Sequence, residues 1–261
     1  MKHYMGLLAA GLMAISAARA GIVEETVIYE HAGTPCEGTL VMDDTASGPR
    51  PGIVIFHQWS GPSDYERKRA SMLAELGYVV FVADIYSKDV RPQTLEERQV
   101  LVGAYRADRA MTRARARAAL DVLTARPEVE PSRIGAIGYC FGGMVALELA
   151  RSGAPLAATV SIHGSLNTPN PADAANIKGK VLVQHGAIDP YVPAEEVASF
   201  RKEMADANVN TRVIEYENAV HSFTDWNAGD DPSTGAAYNE EADRKSWNDL
   251  IEFLHFTAQA E

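Results

Sequence analysis

Six short apolar runs, each joined to the next by a longer polar or helical stretch, constrain the fold of this chain more than any other feature. The runs are GIVIFH, YVVFVAD, RIGAIGY, AATVSIHG, KVLVQHG and TRVIEYE. Continuous apolar runs of this length are typical of parallel strands that are covered by helices on both faces. Before them, ETVIYE and GTLVMD flank a Gly-Thr-Pro turn, which predicts an opening hairpin.

Amphipathic helical patterns separate these runs. They are DYERKRASMLAELG, the arginine-rich stretch from Thr94 to Ala125, GMVALELARSG, PAEEVASFRKEMADAN and EEADRKSWNDLIEFLHF. The alternation predicts an α/β fold, a mostly parallel twisted sheet with helices on both faces and a site at the carboxyl ends of the strands. Thr94 to Ala125 is expected to be one long helix with a solvated face. No linker or repeat divides residues 21–261, so we expect a single domain there.

The first twenty residues, MKHYMGLLAAGLMAISAARA, have the features of a secretory signal peptide. Lys2 precedes an apolar core, and Ala18-Arg19-Ala20 matches an A-x-A cleavage site. No later apolar run reaches the roughly 18 residues of a membrane span. We therefore expect an exported protein, periplasmic or secreted. The formal charge of −11 argues against nucleic acid and anionic membranes as partners, and a monomer is expected.

The segment GYCFGG holds one of only two cysteines in the chain. An apolar strand pattern ends at Gly138, and a helical pattern begins just after Cys140, so Gly138 to Gly142 has the form of a G-x-C-x-G nucleophile elbow. Glycines on either side allow the strand and the helix to approach closely. The amino end of the helix would favour a thiolate. Cys140 is therefore the candidate nucleophile.

A cysteine nucleophile needs a base and a group that orients the base. In this fold they follow the nucleophile in the order acid, then histidine. Asp189 follows the run KVLVQHG, and His221 follows the run TRVIEYE. We predict that His221 acts as general base and then acid, and that Asp189 fixes its tautomer. Asp225 is the alternative acid.

With these residues in place, the chain resembles the dienelactone hydrolase family of α/β-hydrolases. The segments GIVIFHQWSGPSDYERKRASMLAELGYVVFVADIY, RIGAIGYCFGG, HGAIDPYVP and HSF occur in the family's order. The resemblance implies an α/β-hydrolase fold and hydrolysis of an ester or lactone through a cysteine acyl-enzyme, without a metal or organic cofactor. It also implies that the backbone amides of Phe141 and Trp59 hold the oxyanion.

Two positions depart from the family pattern. Where well-known members carry a glutamate that pairs with the resting thiol, this chain has Gln58, and an amide cannot accept that proton. Activation of the thiol is therefore expected to depend on His221. Four residues past that histidine, where the family has an arginine that binds the substrate carboxylate, this chain has Asp225.

The second family arginine aligns near Leu101, with Arg98 and Arg106 close by. A carboxylate facing Asp225 would be repelled. We therefore expect a small, uncharged ester or lactone as substrate, and Gln58, Tyr105 and Asp225 as residues of the substrate pocket. A dienelactone hydrolase acting on a carboxylate-bearing lactone is the alternative.

Four further alternatives are open to a chain of this kind. With the family's strand order, Cys36 and Cys140 lie three strand spacings apart, about 14 Å, whereas a disulfide allows about 7 Å; two free thiols are therefore expected. His57, His163 and His185 stand at strand ends without a zinc-binding spacing, so no metal is expected. The chain lacks the C-x-x-C motif of a thiol-redox protein. A complete set of catalytic residues disfavours a non-catalytic binder.

Overall fold

Eight strands form one sheet in residues 21–258, the part of the chain that the computed structural model describes. The strands are β1 (Ile22–His31), β2 (Thr34–Asp43), β3 (Arg50–Phe56), β4 (Val79–Ala83), β5 (Val129–Tyr139), β6 (Ala158–Ile162), β7 (Lys180–Gly186) and β8 (Thr211–Tyr216). Their order is β1-β2-β4-β3-β5-β6-β7-β8. β2 is antiparallel to both neighbours, whereas β3 to β8 run parallel. The signal peptide predicted for residues 1–20 lies outside the described residues.

The opening hairpin is confirmed, but its turn differs from the predicted one. β1 and β2 pair through His31 and Thr34, so the connection consists of Ala32 and Gly33 alone. Both residues have positive φ, at 50° and 76°. A two-residue connection with this geometry matches the twist of the paired strands, which is why Thr34 and Pro35 belong to β2 instead of the turn.

Six helices cover the sheet within residues 21–258. They are α1 (Asp64–Ala74), α2 (Leu95–Ala107), α3 (Arg109–Thr124), α4 (Phe141–Arg151), α5 (Ala194–Asp206) and α6 (Glu240–Ala258). The single helix predicted from Thr94 to Ala125 is wrong, because the chain breaks at Asp108. The side chain of Asp108 accepts the N–H of Met111 at 2.8 Å and so begins a second helix.

The two faces of the sheet bury separate sets of side chains. Along β3, Ile53 and Ile55 face a core that includes side chains of α1 and α6. Val54 and Phe56 face a core with α3 and α4, and α5 packs beside α4 in a third cluster. The predicted α/β architecture, with helices on both faces, is therefore confirmed. In residues 21–258 no helix has the length and apolar character needed to cross a bilayer.

Candidate active site

Cys140 lies at the turn between β5 and α4, where its backbone has φ 53° and ψ −115°. Such a positive φ is strained for a residue with a side chain. Gly138 and Gly142 have no room for a Cβ atom, which would collide with the backbone of Gly142 and of Phe56 respectively. The glycines of the G-x-C-x-G pattern therefore let the helix start pack against the strand ends, with the thiol at the tip of the turn.

Three side chains from separate loops form a hydrogen-bonded chain. The Sγ atom of Cys140 lies 3.1 Å from Nε2 of His221. On the other side of the ring, Nδ1 of His221 lies 2.8 Å from Oδ2 of Asp189. A carboxylate only accepts hydrogen bonds, so Nδ1 carries a proton and Nε2 faces the thiol. The structure thus brings together the three residues that the sequence analysis selected.

The loops that present Asp189 and His221 restrict both side chains. The second carboxylate oxygen of Asp189 accepts the N–H of Tyr191 at 2.8 Å. The rings of Tyr191 and His163 pack edge-on against His221, with centroid distances of 5.3 and 5.2 Å. His163 is fixed in turn through Nε2, which lies 2.9 Å from Oγ1 of Thr224. The imidazole is therefore held by packing as well as by its hydrogen bonds.

The pKa values of Cys140 and His221 move in opposite directions. Burial by itself raises the pKa of the Cys140 thiol, but the charge of His221 and hydrogen bonds from His221 and Phe141 outweigh burial and lower it. Burial lowers the pKa of His221, whereas the Cys140 charge and hydrogen bonds to Asp189 and Cys140 raise it to about 10. These opposite shifts favour a thiolate beside an imidazolium over a neutral thiol beside a neutral ring.

Two backbone segments lie next to the turn that holds Cys140. The amide of Phe141, the first residue of α4, hydrogen-bonds to Cys140. Trp59 lies in the loop after β3, and its carbonyl accepts the hydroxyl of Tyr86 at 3.0 Å. The tight packing of Gly142 on the carbonyls of Phe56 and His57 brings that loop beside the helix start. These are the two segments that the family resemblance selects for an oxyanion site.

Gln58 and Asp225, the two departures from the family pattern, contact each other. The Nε2 atom of Gln58 donates to Oδ2 of Asp225 at 2.7 Å, although 167 positions separate the two residues in sequence. Gln58 is 6% exposed, so the bond forms at the edge of the protein interior. The side chains that replace the family's glutamate and arginine therefore form a pair of their own, which carries a net negative charge.

The remaining residues predicted near the substrate have other contacts. Tyr105 is buried, and its hydroxyl donates to the carbonyl of Ile85 at 2.7 Å while its ring packs edge-on against Phe141. Arg98 lies over the ring of Trp59, 5.8 Å from its centroid. Arg106 donates to Oγ of Ser165 at 2.9 Å. Tyr105 thus contacts the site through the ring of Phe141 and through the loop after β4.

The described residues contain neither a cluster of side chains that could bind a metal ion nor a disulfide. Cys36 is buried in β2 and Cys140 is partly exposed, and both are free thiols. Among residues 21–258 no three or more His, Cys, Asp or Glu side chains form a group that could hold a metal ion. His57, His163 and His185 are buried side chains at three different strand ends.

Three site residues were missed by sequence reasoning, namely Tyr86, His163 as a neighbour of His221, and Tyr191. Tyr191 had a usable signal, because it lies two positions past Asp189 in the same loop. Tyr86 follows the DI dipeptide after β4 and has no spacing that marks it. Its contact with Trp59 depends on the pairing of β3 with β4, which a single sequence does not display.

The chain is similar to known proteins in both sequence and fold. A family model described as the dienelactone hydrolase family matches residues 37–257. The solved structure of a dienelactone hydrolase-like promiscuous phosphotriesterase, P91 from metagenomic libraries, is 40% identical with a TM-score of 0.87. The match covers 92% of this chain and 100% of that one.

Curated relatives are more distant. A protein of Bradyrhizobium sp. with the provisional name 2-oxo-3-(5-oxofuran-2-ylidene)propanoate lactonase is 25% identical over 80% of this chain and 85% of its own length. A protein of Escherichia coli O157:H7, provisionally named carboxymethylenebutenolidase, is 26% identical over 80% of this chain and 78% of its own. Since the family model spans most of the chain, this protein belongs to the dienelactone hydrolase family and is a hydrolase of esters or lactones.

Proposed function

We propose that the protein hydrolyses a small, uncharged ester or lactone through a thioester formed on Cys140. The observation that carries this proposal is the chain of contacts from Cys140 through His221 to Asp189, at 3.1 and 2.8 Å. A thiolate attacks carbonyl carbon directly, and an adjacent imidazolium can protonate the leaving group. The reaction needs no metal or organic cofactor.

In acylation, the Cys140 thiolate adds to the carbonyl carbon and the carbonyl oxygen becomes an oxyanion. The backbone N–H groups of Phe141 and Trp59 stabilise that charge. As the tetrahedral intermediate collapses, the bond to the leaving oxygen breaks, and Nε2 of His221 gives this oxygen its proton. The alcohol leaves, or for a lactone stays attached as a hydroxyl group. Cys140 now carries the acyl group as a thioester.

In deacylation, neutral His221 takes a proton from water through Nε2, and the resulting hydroxide adds to the thioester carbon. Collapse of this second intermediate breaks the C–S bond and releases the carboxylic acid, which ionises. Cys140 returns as a thiolate beside the imidazolium of His221. Asp189, bound to Nδ1, keeps the ring in the required tautomer and stabilises its charged form.

The preference for uncharged substrates rests on Asp225 and its bond to Gln58. The carboxylate of Asp225 is fixed by Nε2 of Gln58 at 2.7 Å, and Gln58 immediately precedes the proposed oxyanion residue Trp59. A substrate carboxylate at this position would face a like charge. A neutral ester or lactone meets no such repulsion.

A phosphotriester is a second candidate substrate. The relative described as a promiscuous phosphotriesterase is 40% identical across 92% of this chain. A phosphotriester has no formal charge, so, like a neutral ester, it is not repelled by the carboxylate of Asp225. Attack by the Cys140 thiolate would displace an aryl oxide and leave a phosphorylated thiol, which water must then cleave.

The test is pre-steady-state release of p-nitrophenol from p-nitrophenyl acetate by the purified protein. We expect a burst close to one equivalent, followed by slower turnover, because a thioester accumulates before water cleaves it. Alkylation of the thiol should abolish the burst, and Cys140→Ala should lower kcat by about 10⁴-fold or more. Turnover by Cys140→Ala at the parental rate would refute the assignment. Paraoxon in the same assay tests the second candidate.

We also propose that the protein is exported after removal of residues 1–20. The support is the apolar core and the A-x-A sequence at Ala18 to Ala20. Intact-mass measurement of protein from its native cells should give a chain that begins at Gly21. A mass that includes Met1 to Ala20 would contradict export by this signal.

A further inference from the structure

His57, the last residue before Gln58, is fully buried and bound at both ring nitrogens. Its Nδ1 atom lies 2.5 Å from the carbonyl oxygen of Gln58. Its Nε2 atom lies 3.1 Å from the N–H of Ile85. A peptide N–H only donates and a carbonyl only accepts, so the proton must be on Nδ1. Burial lowers the pKa of His57 to about 4, which keeps the ring neutral as this tautomer requires.

The carbonyl that His57 binds belongs to the peptide group whose N–H is that of Trp59. A peptide group is planar and trans, so fixing the direction of the carbonyl also fixes the direction of the N–H. A carbonyl that accepts a strong hydrogen bond also makes its own N–H a stronger donor, because the bonds polarise one another. Within residues 21–258 the N–H of Trp59 has no backbone or side-chain acceptor, so it is available to a ligand.

The adjacent peptide groups are held by other side chains. Glu66, buried in the first turn of α1, accepts the N–H of Gln58 at 3.1 Å. The hydroxyl of Tyr86 donates to the carbonyl of Trp59 at 3.0 Å. His57 is the side chain that binds the central peptide group, which lies between these two. Its ring also packs against Phe141, the other proposed oxyanion residue, with centroids 5.9 Å apart.

We propose that His57 is a positioning residue of the oxyanion site. Through its Nδ1–H it holds and polarises the peptide group between Gln58 and Trp59, so that the Trp59 N–H points at the developing oxyanion. This inference rests on the proposed function, because it requires an oxyanion formed by attack of Cys140. His57 contacts neither the thiol nor the substrate and moves no proton in the reaction.

The role predicts which measurements change when His57 is replaced. Ester hydrolysis forms an oxyanion, so loss of a well-directed Trp59 donor should lower kcat. Removal of a whole oxyanion donor costs about 10²- to 10³-fold in kcat, and misdirection should cost somewhat less, about 10- to 100-fold. Alkylation by iodoacetamide forms a C–S bond while iodide leaves, without any oxyanion. Its rate depends on the Cys140 thiolate alone and should not change.

Two polar variants test the hydrogen bonds of the two ring nitrogens one at a time. In His57→Asn the amide nitrogen occupies the place of Nδ1, so the donor to the Gln58 carbonyl is kept. In His57→Gln the amide oxygen reaches the place of Nε2 and can accept the Ile85 N–H. The donor to the Gln58 carbonyl is lost. Both variants have the same buried polar character, which makes each a control for the folding of the other.

The experiment measures three quantities for the parent and both variants. They are kcat and KM for p-nitrophenyl acetate, inhibition by a trifluoromethyl ketone that forms an oxyanion with the thiol, and the iodoacetamide rate. We expect His57→Gln to lose 10- to 100-fold in kcat and in inhibitor affinity. KM and the alkylation rate should stay within about twofold of the parent, and His57→Asn should keep most of the activity.

Two results would overturn the proposal. One is a kcat for His57→Gln equal to or above that of His57→Asn. The other is an alkylation rate that falls in parallel with kcat, since that indicates general damage to the site. Cys140→Ala separates this inference from the proposed function. If Cys140→Ala still turns over ester, the proposed function fails, whereas an inactive Cys140→Ala with a fully active His57→Gln refutes the role of His57 alone.

Discussion

At the scale of the residue, the charge of the Cys140 thiol is decided by opposing effects. Burial disfavours the thiolate, and the neighbouring His221 favours it and prevails. The same proximity raises the pKa of His221 to about 10. Gln58 does not replace His221 in this role, because its amide nitrogen is bound to Asp225 and an amide takes up no proton from a thiol. The reactivity of the resting enzyme should therefore depend on the histidine.

The first prediction concerns the pH dependence of this reactivity. Alkylation of the parent by iodoacetamide should rise with pH at a midpoint below that of an ordinary thiol, because the pKa of Cys140 is lowered. His221→Ala removes the cation, so the pKa of the thiol should rise and the midpoint should move to higher pH. The rate at pH 7 should fall about tenfold or more. Equal midpoints in parent and variant would show that another group stabilises the thiolate.

The second prediction concerns selectivity at Asp225. Asp225→Asn removes the charge but keeps an oxygen that can accept the Nε2 bond of Gln58. The variant should hydrolyse mono-p-nitrophenyl succinate about three- to tenfold faster in kcat/KM, since repulsion of its carboxylate is removed. The methyl ester of the same compound, which has no charge, should change less than twofold and is the control. An equal gain for both esters would show that charge repulsion is not the cause.

At the scale of the element, local signals predicted the strands well and one helix poorly. The six apolar runs and the opening hairpin correspond to strands of the sheet. The break between α2 and α3 was missed, because the amphipathic pattern continues across it and Asp108 is an ordinary polar residue in that pattern. At this point the backbone of Asp108 leaves the helical conformation, and its side chain accepts the Met111 N–H and so caps α3. Aspartate competes with helix continuation in this way.

The third prediction tests that capping bond. Asp108→Ala should lower the free energy of unfolding by about 1 kcal/mol, because the Met111 N–H loses its acceptor. For a chain of this size the corresponding fall in Tm is about 2–4 °C. Asp108→Asn keeps an acceptor oxygen and should unfold within about 1 °C of the parent. Equal Tm values for the alanine and asparagine variants would contradict a capping role for this side chain.

At the scale of the whole molecule, the strand order and the meeting of distant loops limit what a single sequence shows. The meeting of Cys140, Asp189 and His221 could be predicted, because each follows an apolar run at the end where parallel strands meet. The bond between Gln58 and Asp225 could not, since 167 positions separate them and each is an ordinary polar residue locally. The contact of Tyr86 with Trp59 likewise requires the pairing of β3 with β4. Such contacts depend on the assembled sheet.

A buried ion-pair network links α4, the helix that follows Cys140, to the rest of the protein. Arg151, at the end of α4, is fully buried and donates through Nε and one terminal nitrogen to the two oxygens of Glu203 in α5, both at 2.8 Å. Its other terminal nitrogen contacts Glu148 at 3.1 Å. It also donates to the carbonyl of Leu166 at 2.8 Å. One guanidinium thus joins α4, α5 and the loop after β6.

The last prediction concerns this network. Arg151→Met keeps much of the side-chain volume but leaves the Glu203 carboxylate buried without its cation, while Glu148 keeps its contact with Arg113 at 2.7 Å. Removing one partner of a buried ion pair costs about 3–5 kcal/mol, so the free energy of unfolding measured in urea should fall by that amount. The double variant Arg151→Met, Glu203→Gln has no uncompensated charge. It should regain about half or more of the free energy of unfolding that Arg151→Met loses. If the double variant is no more stable than Arg151→Met, the loss comes from packing around the guanidinium and not from the stranded carboxylate.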